Sequence, residues 1–135
     1  MRPRISIITV AVADLRRSFE FYREGLGLEA DDLPPEADHA AFHLEGGLAF
    51  VLLTHESIAS YIEGGEFRPG SPQLILSYGA SSREEVDRLL AAAASGGGRV
   101  VEIASDQGWG YTGIFSDPDG HLWEVLWQPP SAVAV

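Results

Sequence analysis

From Ile5 to Val12 the chain reads Ile-Ser-Ile-Ile-Thr-Val-Ala-Val, uncharged and rich in β-branched residues, which predicts a strand buried on both faces. The period then changes. Leu15, Phe19, Tyr22 and Leu26 follow at spacings of four, three and four, one stripe of an amphipathic helix, with Asp14 placed to cap its start and Gly25 and Gly27 to end it. A short strand is expected around Leu28–Leu33, before the acidic, proline-containing stretch Asp31 to Asp38. The segments His39–Glu45 and Leu48–Thr54 flank Gly46-Gly47, which predicts a hairpin with a two-residue turn. The first half therefore reads β-α-β-β-β.

Residues from about His55 to Pro72 carry Gly64-Gly65 and Pro69-Gly-Ser-Pro72 and read as a connecting loop. The pattern then returns: Gln73–Tyr78 as a strand, Ser82 and Glu85 as a capping box, Val86, Leu89, Leu90 and Ala93 as a helical stripe, and Gly96–Gly98 as its stop. Three strands follow, at Arg99–Ala104, Tyr111–Ser116 and His121–Gln128, the last two joined by the type I turn signature Asp117-Pro-Asp-Gly120. After Pro129 a frayed tail is expected. Because the last two strands of each repeat are hairpin-linked, and hence antiparallel, the repeat points to an α+β fold rather than a doubly wound parallel sheet.

A length of 135 residues with 45% apolar and 21% charged content suits one domain, with modules at about 4–55 and 72–128 and a linker at about 56–71. The net charge of −11 repels phosphate backbones and anionic lipid, so no nucleic-acid or membrane partner is expected. Without cysteine there is neither disulfide nor thiol nucleophile, and no apolar run approaches the roughly 20 residues of a bilayer span. The start Met-Arg-Pro-Arg does not read as a signal peptide, and a cytoplasmic location is expected.

The segments Val12-Ala-Asp-Leu-Arg-Arg-Ser-Phe-Glu-Phe-Tyr22, Gly25-Leu-Gly-Leu28 and Phe115-Ser-Asp-Pro-Asp-Gly-His-Leu-Trp-Glu124, in this order and spacing, resemble the vicinal oxygen chelate superfamily. That superfamily includes glyoxalase I, bleomycin-resistance proteins, fosfomycin-resistance enzymes and extradiol dioxygenases. The resemblance implies two βαβββ modules forming a curved mixed sheet around a cavity, and in the enzymes a divalent metal held by His or Glu. The matching places here are Ile7, a position near Leu52, Gln73 and Glu124. Ile7 and Leu52 have no lone pair to donate and a glutamine amide is a poor ligand, so no metal and no other cofactor is expected. His39 and His43 lie about 13 Å apart along an extended strand, too far to chelate one ion together.

Counting back across the Asp117–Gly120 turn places Ser116 opposite His121, Phe115 opposite Leu122, Gly113 opposite Glu124 and Tyr111 opposite Leu126. Tyr111, Gly113, Phe115, Leu122, Glu124 and Leu126 then share one face, with Ile114, Trp123, Val125 and Trp127 on the helix side. With Ile7, Thr9, Phe50, Leu52, Gln73, Ile75 and Ser77 this makes a mostly apolar cavity suited to a small organic ligand. Glu124 is its expected polar anchor and candidate catalytic base, with Gln73 and Tyr111 as donors to it. Trp109, between glycines, is a candidate stacking residue, and the Glu56–Pro72 loop with Tyr61 and Phe67 a candidate lid. Two readings stay open: a metal-free binding protein for a small, aromatic or cationic molecule, and a lyase, isomerase or glyoxalase-like enzyme acting through Glu124. A homodimer is expected from exposed sheet edges and apolar faces, with the modules paired within a chain or exchanged between subunits.

Overall fold

The computed structural model describes residues 1–130, and the tail beyond lies outside them. The chain divides into two units, Met1–Gly70 and Ser71 onward.

In the first unit β1 (Ile7–Val12) runs parallel to β3 (Ala49–Thr54), which pairs antiparallel with β2 (His39–His43), giving the order β1-β3-β2. Helix α1 (Leu15–Glu20) starts where the sequence places it, the Asp14 carboxylate accepting from the Arg17 N–H at 3.1 Å. It then widens into a π-helical turn over Phe21–Gly25, in which the Leu26 N–H reaches the Phe21 carbonyl. The wider turn buries Phe21 together with Tyr22, although only Tyr22 belongs to the helical stripe. Under α1 an aromatic core forms, with Phe19 stacked on Phe42 at 5.5 Å and Tyr22 edge-on to Phe50 at 5.0 Å. Burial of each such side chain is worth about 1.5–3 kcal/mol.

Three expectations for this unit are corrected. β1 is not buried on both faces: Val10 and Val12 enter the core, whereas Ile7 is 59% exposed on the face that carries no helix. Leu28–Leu33 forms no strand. Its acidic residues and the following prolines suit pairing poorly, and arginines hold it instead, Arg16 donating to the carbonyls of Leu33 and Pro34 and Arg23 bonding Asp32 at 2.8 Å. The hairpin between β2 and β3 has a three-residue turn, Glu45–Gly47, in which Gly46 and Gly47 both take positive φ. A helix the sequence reading lacked, α2 (His55–Ala59), opens the connecting loop, capped by Thr54 Oγ1 accepting from the Ser57 N–H.

The second unit is β4 (Ile75–Gly79), α3 (Arg83–Ser95), β5 (Arg99–Asp106), β6 (Tyr111–Ser116) and β7 (Leu122–Trp127), in the order β4-β7-β6-β5. Here the β-α-β-β-β order is complete, β4 parallel to β7 and the remaining pairs antiparallel. The two mixed sheets with their helices make the α+β architecture expected from the sequence.

Candidate functional site

The register of the last hairpin differs by one residue from the count made across its turn. Asp117 and His121 close the loop through the Asp117 N–H and the His121 carbonyl, and Gly120, at φ 90°, is an extra residue that bulges the strand. The pairs are Ser116 with Leu122, Phe115 with Trp123, Ile114 with Glu124, Gly113 with Val125 and Tyr111 with Trp127. One step of register exchanges the two faces of a strand. Glu124 therefore shares its face with Leu122, Leu126, Ile114 and Thr112, not with Tyr111 and Phe115.

Tyr111 and Phe115 lie on the α3 side. Phe115 is buried and stacked parallel to Trp123 at 6.2 Å. The Tyr111 hydroxyl donates to Asp87 of α3 at 2.7 Å, so it is no donor to Glu124, and that bond holds its pKa above the ordinary tyrosine value. Arg83 lies over the rings of Tyr111 and Trp127 and bonds Asp106 at 2.6 Å, which keeps the Asp106 carboxyl below the usual range. These contacts fasten the start of α3 to the ends of β5, β6 and β7.

The face of this sheet turned away from α3 carries Ile75 and Ser77 from β4, Leu122, Glu124 and Leu126 from β7, and Ile114 from β6. Register sets Ser77 beside Glu124, and the Ser77 hydroxyl donates to Glu124 Oε1 at 2.9 Å. Among the described residues Oε2 makes no hydrogen bond. The arrangement is one half-buried carboxylate with one oxygen occupied, set among aliphatic side chains. Ser77 is the donor that sequence reasoning passed over in favour of Gln73 and Tyr111. Gln73 is exposed and lies before β4 begins. The glycine that ends Asp117-Pro-Asp-Gly120 was the available signal, because a type I turn followed by a left-handed residue adds a bulge and shifts the pairing.

In the first unit Phe50 and Leu52 are at most 1% exposed and belong to the core under α1, so they line no open face. Ile7 does stand on the open face, where its register partner is Ala49 and where Val51 and Leu53 follow by alternation. Trp109 is 44% exposed in the β5–β6 turn, which the Gln107 N–H closes on the Gly110 carbonyl.

A divalent metal of the kind the resemblance implies needs several nitrogen or oxygen donors converging on one point. Of the four matching places, Ile7 offers hydrocarbon, Leu52 is buried hydrocarbon, Gln73 an exposed amide and Glu124 a carboxylate already bonded to Ser77. Among the described residues no three His, Asp or Glu side chains converge as a ligand set. This donor set does not fit a first-row dication.

The family model described as "Glyoxalase/Bleomycin resistance protein/Dioxygenase superfamily" matches residues 4–125. Among solved structures the chain is similar to a glyoxalase-related enzyme from Fulvimarina pelagi, at 24% identity and a TM-score of 0.80, over 94% of this chain and 89% of that one. It is similar to hypothetical protein SA1046 from S. aureus, at 24% identity and a TM-score of 0.78, over 94% of each chain. A protein of unknown function from Agrobacterium tumefaciens str. C58 matches at 25% identity and a TM-score of 0.71, over 96% and 97%. No significant match is found among curated proteins.

Proposed function

Since the chain belongs to the Glyoxalase/Bleomycin resistance protein/Dioxygenase superfamily, we propose that it is a metal-free member that binds a small organic molecule on the open face of the β4-β7-β6-β5 sheet, with Glu124 as polar anchor. The observation that carries this reading is the Ser77–Glu124 pair among Ile75, Ile114, Leu122 and Leu126. Ser77 fixes one carboxylate oxygen and leaves the other to a ligand ammonium, amidine or hydroxyl, while the aliphatic surroundings take up an apolar or aromatic body. The charge of −11 favours a cationic ligand over an anionic one. The protein acts as a homodimer in the cytoplasm in this reading; among the described residues no helix is long and apolar enough to cross a membrane.

The test is a screen of aromatic and cationic metabolites and glycopeptide-type antibiotics, followed by titration of Glu124→Gln with whatever binds. The expected result is affinity weakened by at least about tenfold, or about 1.4 kcal/mol, with little change in melting temperature. Unchanged affinity overturns the assignment. A second reading has the same carboxylate moving a proton in a lyase or isomerase step, for which a free oxygen beside a fixed one is the required geometry. In that case Glu124→Gln abolishes turnover of the bound compound while binding survives.

A further inference from the structure

The first unit holds a second feature that the proposed ligand site does not use. Its sheet order β1-β3-β2 repeats β4-β7-β6 of the second unit, but where β5 pairs with β6, no strand among the described residues pairs with the outer edge of β2. The residues that the order of elements assigns to that place, Leu28–Leu33, stand off and are held by Arg16 and Arg23. Between them and β2 lies an open groove of about 530 Å³, lined among others by Phe19, Glu29, Asp31, Leu33, Ala41 and His43.

The hydrogen-bond phase of β2 fixes what points into this groove. The Leu44 N–H donates to the Leu48 carbonyl at 2.8 Å, and bonded pairs recur at every second residue of an antiparallel ladder, here Phe42 with Phe50 and Ala40 with Leu52. The N–H and C=O groups of His39, Ala41 and His43 therefore point away from β3, toward the groove. On the other side of β3 the Ala49 N–H reaches the Ser6 carbonyl, consistent with this phase. Among the described residues no backbone hydrogen bond from the 29–34 segment reaches β2. Unlike β5, whose register shifts twice, β2 has no bulge, and it carries neither lysine nor proline to blunt its edge. Ala40 and Ala41 at its centre leave the backbone open to approach.

The facing wall is acidic. Arg23 pairs with Asp32 at 2.8 Å and with Glu24 at 3.7 Å and feels Asp31 through space, whereas Glu29 and Asp31 have no ion pair within 4 Å among the described residues, so the wall keeps an excess of negative charge. We propose that this edge is a docking site for an extended, basic segment of a partner protein, which adds as a fourth strand beside β2 and sets its lysine or arginine side chains against Glu29 and Asp31. Main-chain bonds to His39, Ala41 and His43 supply the pairing, and the carboxylates select for positive charge.

The experiment uses the full chain and a labelled, capped peptide of alternating lysine and valine, with an alternating glutamate and valine peptide as control. Expected are binding of the basic peptide that weakens with salt, loss of at least about tenfold in affinity in the double variant Glu29→Lys with Asp31→Lys, and a similar loss in Ala41→Pro, which removes an outward N–H. The charge variant changes exposed positions only, so it remains informative where the proline variant fails to fold. Amide exchange at Ala41 and His43 is expected to be fast in the free protein and slowed by the peptide. The proposal is overturned by equal binding of the acidic peptide, by full affinity in the charge variant, or by amides already protected in the free chain, which means that residues 28–33 close the sheet themselves. Dimerisation lost in Ala41→Pro, without any peptide binding to the wild type, also overturns it and assigns the edge to a second copy.

Discussion

A Cβ placed on Gly113 stands 2.5 Å from Leu90 Cδ1, 3.2 Å from the Glu102 carbonyl oxygen and 3.3 Å from the Ala104 Cα. The leucine can turn aside, but the two backbone atoms of β5 cannot move without disturbing the ladder. Gly113→Ala is therefore expected to destabilise the protein by about 1–3 kcal/mol in denaturant unfolding, and Leu90→Ala in the same chain to recover only the part of that strain which comes from the side chain. Two hydrocarbon side chains, an exposed amide and a carboxylate engaged by Ser77 lead us to expect far less than one transition-metal ion per chain in elemental analysis of the purified protein. One equivalent of zinc, nickel, manganese or iron, removed by chelator with loss of ligand binding, removes the metal-free reading.

At the level of elements, the start of α3 shows how far a local motif can be read. Ser82 Oγ accepts from the Glu85 N–H at 3.1 Å as the capping box requires, but Glu85 reaches one residue further back, its Oε1 accepting from the Ser81 N–H at 2.7 Å and its Oε2 from the Tyr78 hydroxyl. The Ser81 backbone bond is the largest cause that holds the Glu85 carboxyl below the ordinary glutamate value, followed by the Tyr78 and Ser81 hydroxyls and Arg88. A carboxyl whose folded pKa is depressed contributes its stability in full above the unfolded value and loses it as pH falls through the folded one. Unfolding measured from neutral to acid pH is thus expected to show a smaller acid loss in Glu85→Gln than in the wild type, and a cost of about 1 kcal/mol at neutral pH. Equal acid sensitivity in both proteins refutes this role. The caps at Asp14 and Ser82 are side chain to backbone bonds closed within three residues, which is why composition near each of these helix starts suffices to locate them; Thr54 makes the same kind of bond to Ser57, but the five-residue helix it opens carries no apolar stripe long enough to announce it. Leu28–Leu33 is the opposite case. Whether it forms a strand depends on a neighbour's edge and on Arg16 and Arg23, and the acidic run with its prolines turned the balance.

For the whole molecule, apolar side chains left in water set the expectation. Ile7 and Ile75 are exposed by 59% and 53% on strands of different units, and Ile103 of the edge strand β5 by 78%. Faces of this kind are commonly covered by a partner, and we expect sedimentation at tens of micromolar concentration to show a homodimer. A 14.6 kDa species under those conditions overturns that expectation.

The β-α-β-β-β order of the second unit, the caps of α1 and α3, the α+β class and the superfamily were legible from Leu15–Leu26, Ser82–Ala93 and the turn Asp117–Gly120, because each depends on residues within one or two turns of chain; the missing strand at Leu28–Leu33 and the short helix α2 were not. The face on which Glu124 stands was not. A side chain's face alternates with every residue, so the single bulge at Gly120 moved Tyr111 and Phe115 to the α3 side and gave Glu124 Ser77 as its partner, from another strand 47 residues away. Phe50 and Leu52 are core and not cavity for a related reason: alternation names two faces, and only the packing of α1 against one of them shows which face is the core.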